Sequence, residues 1–374
     1  MVRNTLILRK LQQALPLLFF LLIAAKSLLI LPACKPGNMA VDANADTTSH
    51  NFAFQIDTLG DGNSSLLNDV CIIDENNIWA VGEIYFKDVS GQFNDPPYNA
   101  ARWDGQKWNL IRIPTRIWNT NTFITAPLKT IIAFGPNDIW VTTGGQVIRY
   151  NGQDWGQWQF LFSDLNDNTF GGINKFWGTS NSQLWGGGNK GNIFHFNGST
   201  WQKLSSGTTV DIQDIWGAVD GKTGQQTILA VASYRAAVPQ DKQLLRIQNN
   251  TVSILSDAGL PFDLSGIWFT VGERYFVVGD GVYYSDVLGN LWQSDSSHPL
   301  LYKDAIRGLA QNDIFITGSF GLVSHYNGAT WKHYTGSELP PFYGRYKAAS
   351  YKGNLLIAVG WFDEQAVILR GMRR

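Results

Sequence analysis

After about residue 50, the chain is a succession of short apolar runs separated by polar turns. The runs are rich in Ile, Val, Trp and Tyr, and include Val70-Cys71-Ile72-Ile73 and Ile228-Leu229-Ala230-Val231. Runs of about four to six such residues are typical of strands, and no long segment carries a sustained helical period. The pattern therefore predicts an all-β protein with few helices.

The apolar runs belong to a repeated unit. In the clearest copies, a polar residue, usually Asp or Asn, precedes an Ile-Trp strand core or a close variant of it. A basic residue follows, then an Asn-Gly or Asp-Gly turn and a Trp. The strand cores are Asn77-Ile78-Trp79, Asp138-Ile139-Trp140, Gln183-Leu184-Trp185 and Asp313-Ile314-Phe315. The turns are Asp104-Gly105, Asn151-Gly152, Asn197-Gly198 and Asn327-Gly328. Three weaker copies cover 212–247, 266–292 and 348–370.

Seven copies at a spacing of about 45 residues predict a β-propeller of seven four-stranded blades. Counts of six or eight are the alternatives, because three copies are weak. The last copy has no strand after its final apolar run, whereas 51–57, ahead of the first copy, alternates like a strand. We therefore expect the N-terminal strand to complete the last blade and close the ring, which removes exposed sheet edges.

The N-terminus carries an export pattern. Arg3, Arg9 and Lys10 precede an apolar stretch, which Leu31-Pro32-Ala33-Cys34 follows. This resembles the signal peptide and lipobox of bacterial lipoproteins. The resemblance implies a signal peptide over 1–33, a flexible tether over 34–50 with lipidated Cys34, and the propeller over 51–374. The alternative is an uncleaved membrane helix, although the unbroken apolar run is shorter than the ~20 residues that a spanning helix needs.

The anchor and the charge of the chain together limit the partners. A lipid on Cys34 implies a bacterial cell-envelope protein held at a membrane outside the cytoplasm, with the outer membrane or cell surface expected. The formal net charge is -1, and the first 33 residues carry four basic side chains and no acid. The remaining body is therefore weakly acidic, which argues against nucleic acid as a partner.

No catalytic residue, metal site or cofactor is predicted. The chain has no Gly-x-Ser-x-Gly motif and no Cys/His spacing of a metal site. The basic residues before the turns, including His195 and His325, recur from blade to blade. We interpret them as packing residues that hydrogen-bond a neighbouring turn or acid.

The repeat resembles propeller repeats of exported bacterial proteins, and is distantly similar to the Asp-box propellers of sialidases and photosystem II assembly factors. This resemblance implies the fold and leaves the activity open. Ile111-Arg112-Ile113-Pro114 is close to the aromatic-Arg-Ile-Pro motif of sialidases, but we expect it on an outer strand. The segment 285–292 is similar to an Asp box with the Asp displaced by one position.

Long loops on the channel-mouth face are the predicted binding surface, because loops there are longer than the repeat requires. The candidate ligand-binding residues are Tyr85, Phe93, Trp118, Tyr234, Arg235 and Trp361. Exposed aromatic side chains beside polar groups suit a glycan or a protein. The predicted function is thus a non-catalytic binding or assembly module. The alternatives are a sialidase-like glycan-active enzyme and a structural partner in an envelope complex.

The lipobox generates a first prediction. Cys34→Ala should leave a folded protein that no longer fractionates with membranes, because acyl chains contribute about 0.8 kcal/mol per buried CH₂ and this variant has none. Fractionation followed by mass spectrometry of the N-terminal peptide checks this. Membrane retention of the variant would favour the uncleaved helix.

Overall fold

The computed structural model describes residues 46–164, 167, 169–234, 241–261 and 263–374. Cys34, most of the tether and Arg235 lie outside these residues. The described part forms seven four-stranded antiparallel sheets and one two-stranded ribbon. Its helical structure consists of two short 3₁₀ turns, Asn189–Gly191 and Gly336–Glu338. No helix in the described part is long and apolar enough to span a membrane.

The first four blades follow one another along the chain. Blade 1 contains β2 (Leu66–Asp74), β3 (Asn77–Ile84), β4 (Tyr98–Trp103) and β5 (Trp108–Ile111). The ribbon follows as β6 (Thr115–Arg116) and β7 (Phe123–Ile124). Blade 2 contains β8 (Thr130–Gly135), β9 (Asp138–Thr142), β10 (Gln146–Tyr150) and β11 (Gln157–Phe160). Blade 3 contains β12 (Lys175–Ser180), β13 (Gln183–Gly187), β14 (Ile193–Phe196) and β15 (Trp201–Leu204). Blade 4 contains β16 (Ile212–Val219), β17 (Gln226–Ser233), β18 (Lys242–Gln248) and β19 (Thr251–Leu255).

Three blades complete the ring. Blade 5 contains β20 (Leu264–Phe269), β21 (Tyr275–Gly279), β22 (Val282–Ser285) and β23 (Gln293–Ser294). Blade 6 contains β24 (Lys303–Ala310), β25 (Asp313–Gly318), β26 (Val323–Tyr326) and β27 (Trp331–His333). Blade 7 contains β28 (Arg345–Lys352), β29 (Leu355–Phe362), β30 (Gln365–Arg373) and β1 (Phe52–Leu59).

The first strand of each blade is its innermost strand, because these seven strands contact one another in an unbroken circle. Each inner strand contacts the inner strands of the two adjacent blades, and β28 of blade 7 contacts β2 of blade 1. All seven inner strands run in the same direction along the channel. Their starting ends share one face with the loops between second and third strands, which we call the mouth face. The opposite face, made of tight turns, is the turn face. The prediction of a seven-bladed β-propeller is confirmed.

The predicted ring closure is also confirmed. All eight residues of β1 pair with β30, from Phe52 with Arg373 to Leu59 with Ala366. The Phe52 ring packs edge-on against Phe315 of blade 6, with centroids 4.9 Å apart. The carboxylate of Asp57 accepts hydrogen bonds from Arg370 within the blade and from Trp108 of blade 1. The N-terminal strand therefore joins both neighbours of the last blade.

The residues before β1 add a further connection to blade 6. The Nδ1 atoms of His50 and His325 are 2.8 Å apart, so one ring donates to the other. Burial, followed by the proximity of His325, lowers the pKa of His50 to about 4. The hydroxyl of Thr48 donates to the carbonyl of Asn312 at 2.6 Å. The chain thus enters β1 at the turn face.

The recurring motif has a common geometry inside the blades. In blade 2, one carboxylate oxygen of Asp138 accepts from Arg149 at 2.8 Å and from the Trp140 indole at 3.0 Å. The Arg149 guanidinium also lies over the Trp140 ring. In blade 6, His325 bonds to Asp313 at 2.8 Å. These contacts support the packing role inferred for the basic residues.

The turns and their following tryptophans also have repeated roles. The turns are four-residue loops in which the Asp or Asn side chain accepts two backbone N–H groups, as Asp104 does from Gln106 and Lys107. Gly105 has φ 95°, where a side chain would be strained. Trp155, which follows the blade 2 turn, packs edge-on against Trp79 of blade 1. The repeat therefore encodes contacts between blades as well as the blades themselves.

Ring closure generates the second prediction. Deletion of 51–58 should abolish cooperative unfolding in urea, because blade 7 then loses its outer strand and its contacts with blades 1 and 6. An unchanged transition would contradict the closure.

A single substitution in β1 tests the same closure with a smaller loss of stability than the deletion. Phe52→Ala should lower the free energy of unfolding by about 3–5 kcal/mol, since it leaves a cavity beside Phe315. Val89→Ala is the control, because Val89 is fully exposed, and its effect should stay within about 0.5 kcal/mol.

Candidate functional site

Five inner strands carry an irregularity at the same level, close to the mouth face. Along each of them the pairing with the second strand skips one residue, for example between Leu67 and Asp69. The skipped residues are Asn68, Gln213, Ser265, Asp304 and Lys347. Such bulges re-aim side chains.

The two remaining blades have the same feature immediately before their inner strands. The Lys129 amide donates to the carbonyl of Thr142, which also pairs with Thr130. The Asn174 amide donates to the carbonyl of Gly187, which also pairs with Lys175. Each blade therefore supplies one such residue. We call this set the bulge ring: Asn68, Lys129, Asn174, Gln213, Ser265, Asp304 and Lys347.

The bulge ring lines a single cavity of about 310 Å³ at the mouth of the central channel. Its members are one carboxylate, two ammonium groups, three amides and one hydroxyl. A site of this size lies at the lower end of the range for small ligands. The cavity can therefore take a chain end or a single side chain, and it offers mainly polar contacts.

Buried acids beside the ring connect blades across the channel. Asp69 of blade 1 accepts from Thr130 of blade 2 and from Lys175 of blade 3, both at 2.5 Å. Asp214 of blade 4 accepts two hydrogen bonds of 2.9 Å from Arg307 of blade 6. Although burial disfavours the guanidinium charge, the Asp214 carboxylate holds the pKa of Arg307 above its ordinary value.

A third acid connects the ring to the loops above it. Asp304 accepts from the guanidinium of Arg345 in blade 7, with Nε to Oδ1 at 2.9 Å. The same guanidinium lies 5.5 Å from the ring centroids of both Tyr302 and Trp361. An aromatic surface of the mouth face is thus joined to the bulge ring through one arginine.

Three further aromatic residues are exposed on the part of the mouth face that carries Trp361. Phe320 is 66% exposed, Tyr343 is 72% exposed and Phe362 is 44% exposed. We call these three residues and Trp361 the aromatic rim. The loop that carries Phe320 is held close to Arg345, since Ser319 pairs with Arg345 in an isolated bridge.

Phe320 has an unusual backbone conformation. Its φ is 55°, in the left-handed region that bulky residues rarely adopt. Such strain costs about 1–3 kcal/mol and is concentrated at functional sites. A strained conformation that exposes a phenylalanine ring to solvent marks this loop as a candidate binding element.

Four of the sequence-predicted residues make contacts within the propeller. Tyr85 and Phe93 contact each other in one loop, and the Tyr85 hydroxyl donates to Glu83 at 2.5 Å. Trp118 is half-buried against Phe160, with centroids 4.9 Å apart. The Tyr234 hydroxyl donates to the carbonyl of Thr209. These side chains are therefore largely engaged in contacts within a loop or between a loop and its neighbours.

Trp361 is the predicted residue that lies beside the bulge ring. It belongs to strand β29, where it pairs with Arg345 and Ala366, rather than to an inserted loop. The turn after it is tight, with Asp363 and Glu364 both at positive φ. Ile111 ends the outer strand β5, so the sialidase-like Arg112 segment lies away from the channel, as expected.

Sequence reasoning missed the bulge ring, Phe320 and Tyr343, although a signal for the ring exists. In six of the seven blades, a fully buried apolar residue directly precedes the ring residue. These residues are Leu67, Leu128, Ile173, Ile212, Leu264 and Tyr346. An apolar residue followed by a polar one at the start of each inner run could therefore have located the ring.

Comparisons with known proteins indicate the fold. No protein-family model and no curated protein sequence matches the chain. Among solved structures, YCF48 bound to a D1 peptide is similar with a TM-score of 0.60 and 15% identity, over 88% of this chain and 100% of that one. Virginiamycin B lyase from Staphylococcus aureus is similar with a TM-score of 0.56 and 11% identity, over 86% of this chain and 99% of that one.

A further similar structure is larger than this chain. The extracellular domain of a one-component system from B. thetaiotaomicron has a TM-score of 0.56 and 10% identity, over 84% of this chain and 40% of that one. At these identities the likeness shows the propeller fold alone. The expected similarity to photosystem II assembly factors is present at that level.

The buried ion pair between blades 4 and 6 generates the third prediction. Arg307→Met should lower the free energy of unfolding by about 3–5 kcal/mol, because it leaves Asp214 buried without its cation. Adding Asp214→Asn should recover most of this loss, since an amide carries no charge. Urea titration of the single and double variants measures both effects.

A surface pair provides the control. Arg274→Met breaks the exposed pair with Asp286 and should cost about 1 kcal/mol or less. Equal losses in Arg307→Met and Arg274→Met would contradict a role for the buried pair in joining the blades.

Proposed function

We propose that the protein is a lipid-anchored, extracytoplasmic β-propeller that binds a segment of another protein at its mouth face. The observation that carries the binding role is the aromatic rim, which lies beside the bulge ring and is connected to it by Arg345. Binding sites commonly combine exposed aromatic anchors with a polar cavity that fixes orientation.

The proposed anchor rests on the sequence Leu31-Pro32-Ala33-Cys34. The chain joins the propeller at the turn face, where Thr48 contacts Asn312. An anchor on Cys34 is therefore connected to the face opposite the aromatic rim.

A protein segment is favoured over a glycan by the chemistry of the site. The bulge ring offers amide and charged groups that suit a peptide backbone and its side chains, and the rim offers separate anchors for apolar side chains. A propeller of similar fold, YCF48, was solved with a D1 peptide bound. Glycan binding is the second candidate, because exposed aromatic rings also stack on sugars.

Hydrolysis of glycans is less favoured. Glycosidases of the common type need two carboxyl groups on either side of the scissile bond. Three of the described acids at the channel mouth, Asp69, Asp214 and Asp304, each bind a cation of another blade. These contacts give the three carboxylates a structural role.

The fourth prediction tests the aromatic rim. Protein purified from membranes in detergent should bind peptides selected from a random display library, and the triple variant Phe320→Ala, Tyr343→Ala, Phe362→Ala should weaken that binding at least tenfold. The loss is expected because exposed aromatic anchors carry much of the energy of such interfaces. Fluorescence anisotropy with labelled peptides measures the affinity.

A matched variant on the turn-face side removes exposed apolar groups elsewhere. Val219 and Leu291 are 48% and 66% exposed, and Val219→Ala with Leu291→Ala should leave binding unchanged. The same proteins are applied to a glycan array and assayed for glycan hydrolysis. Rim-dependent glycan binding would replace the peptide proposal, and turnover would restore the sialidase-like alternative.

A further inference from the structure

The cavity at the channel mouth carries an excess of positive charge. Its lining includes four cationic side chains, Lys129, Lys175, Arg307 and Lys347, against two acids, Asp214 and Asp304. Two residues just outside the lining pair with it: Asp69 with Lys175, and Arg345 with Asp304. They add one negative and one positive charge, so the excess is unchanged. The excess is unusual in this chain, whose overall formal charge is -1.

Internal contacts account for most of these charges. Lys175 pairs with Asp69, Arg307 pairs with Asp214, and Arg345 pairs with Asp304. Lys347 donates to the side-chain oxygen of Asn68 at 2.7 Å. Both arginines near the cavity are therefore occupied by carboxylates of the propeller itself.

Lys129 differs from the other cations of the lining. Its side chain is exposed, and within the described part of the chain no acid or hydrogen-bond acceptor contacts its ammonium group. The amide of Asn68 donates to the carbonyl of Leu128, directly before Lys129, while its oxygen accepts from Lys347. Asn68 thus lies between the two lysines of the bulge ring, which come from the blades on either side of it.

We infer that this corner of the bulge ring, formed by Lys129, Asn68 and Lys347, binds a carboxylate group of the peptide ligand. The inference rests on the proposed function and names the chemistry recognised at that site. A carboxylate is a single negative charge that accepts hydrogen bonds from ammonium and amide donors, and such charge-assisted bonds are the stronger ones.

The charges present favour a carboxylate over a phosphate. Recognition of a phosphate typically uses arginine forks, and the two arginines here are engaged by Asp214 and Asp304. A doubly charged group would also lie close to these two acids in the same small cavity. A monoanion matches the modest positive excess with less repulsion.

The location of the cavity at the mouth of the central channel suits a chain end or an extended acidic side chain. The carboxylate therefore comes from a peptide C-terminus or from an Asp or Glu side chain. Three probes separate these sources: acetyl-Phe-Gly-Gly with a free C-terminus, the same peptide as its C-terminal amide, and acetyl-Phe-Gly-Asp-amide. The Phe of each probe is included for the aromatic rim.

The fifth prediction concerns Lys129. The detergent-purified protein should bind at least one acidic probe about tenfold more tightly than the amide probe, and Lys129→Gln should remove this preference without weakening the amide probe. Raising the salt from about 50 to 500 mM should reduce the preference, because exposed charges are screened. Isothermal titration calorimetry measures all three affinities.

Lys107→Gln is the matched control, because Lys107 is an exposed lysine in a turn on the opposite face. It should keep the preference, and thermal melts should show both variants folded as the parent is. Equal affinity of acidic and amide probes, or a preference that persists in Lys129→Gln, would overturn the carboxylate site and leave the mouth as a binding surface. Absence of binding by every probe and every selected peptide would overturn both proposals.

Discussion

The pairing of β1 with β30 is the constraint on which the rest of this structure depends. The ring of blades closes only if the last blade is complete. Here the strand that completes it, β1, precedes the first blade along the chain. The inner strand of that blade supplies Lys347 to the bulge ring and Arg345 to Asp304. The candidate site therefore includes residues of the blade that closes the ring.

At the channel mouth, the ion pairs that hold the blades together lie beside the cations that a ligand can meet. Three carboxylates each bridge two or more blades, so the cations that hold them are not available to a ligand. Buried pairs of this kind contribute little net stability by themselves, but losing one partner is costly. Apart from Lys129, the cations that a ligand group would meet in the cavity are thus already held in place, which lowers the ordering cost of binding.

The repeated features were predictable from sequence and the site mostly was not. The contacts among Asp138, Trp140 and Arg149 recur with the repeat, so the periodic spacing of these residue types predicts that they have a common role. The bulge-ring residues differ in type from blade to blade, because they share only a backbone irregularity. Phe320 and Tyr343 lie in loops outside the repeat, and no local pattern indicates that Phe320 adopts a positive φ. Trp118 was a reasonable candidate by residue type, but its ring packs on Phe160, which sequence position alone does not reveal.

The direction in which the chain enters the ring has a mechanical consequence. A pull transmitted through the residues before Asp46 first reaches the hydrogen bonds of Asp46 and Thr48 with Asn312, which lie near the surface. Beyond them, any component of the pull parallel to β1 acts on eight residues that are all paired with β30. Tension in this direction loads the hydrogen bonds between β1 and β30 in shear, so that they share the force and do not break one at a time. The strand that closes the ring is thus oriented to resist tension parallel to its own length.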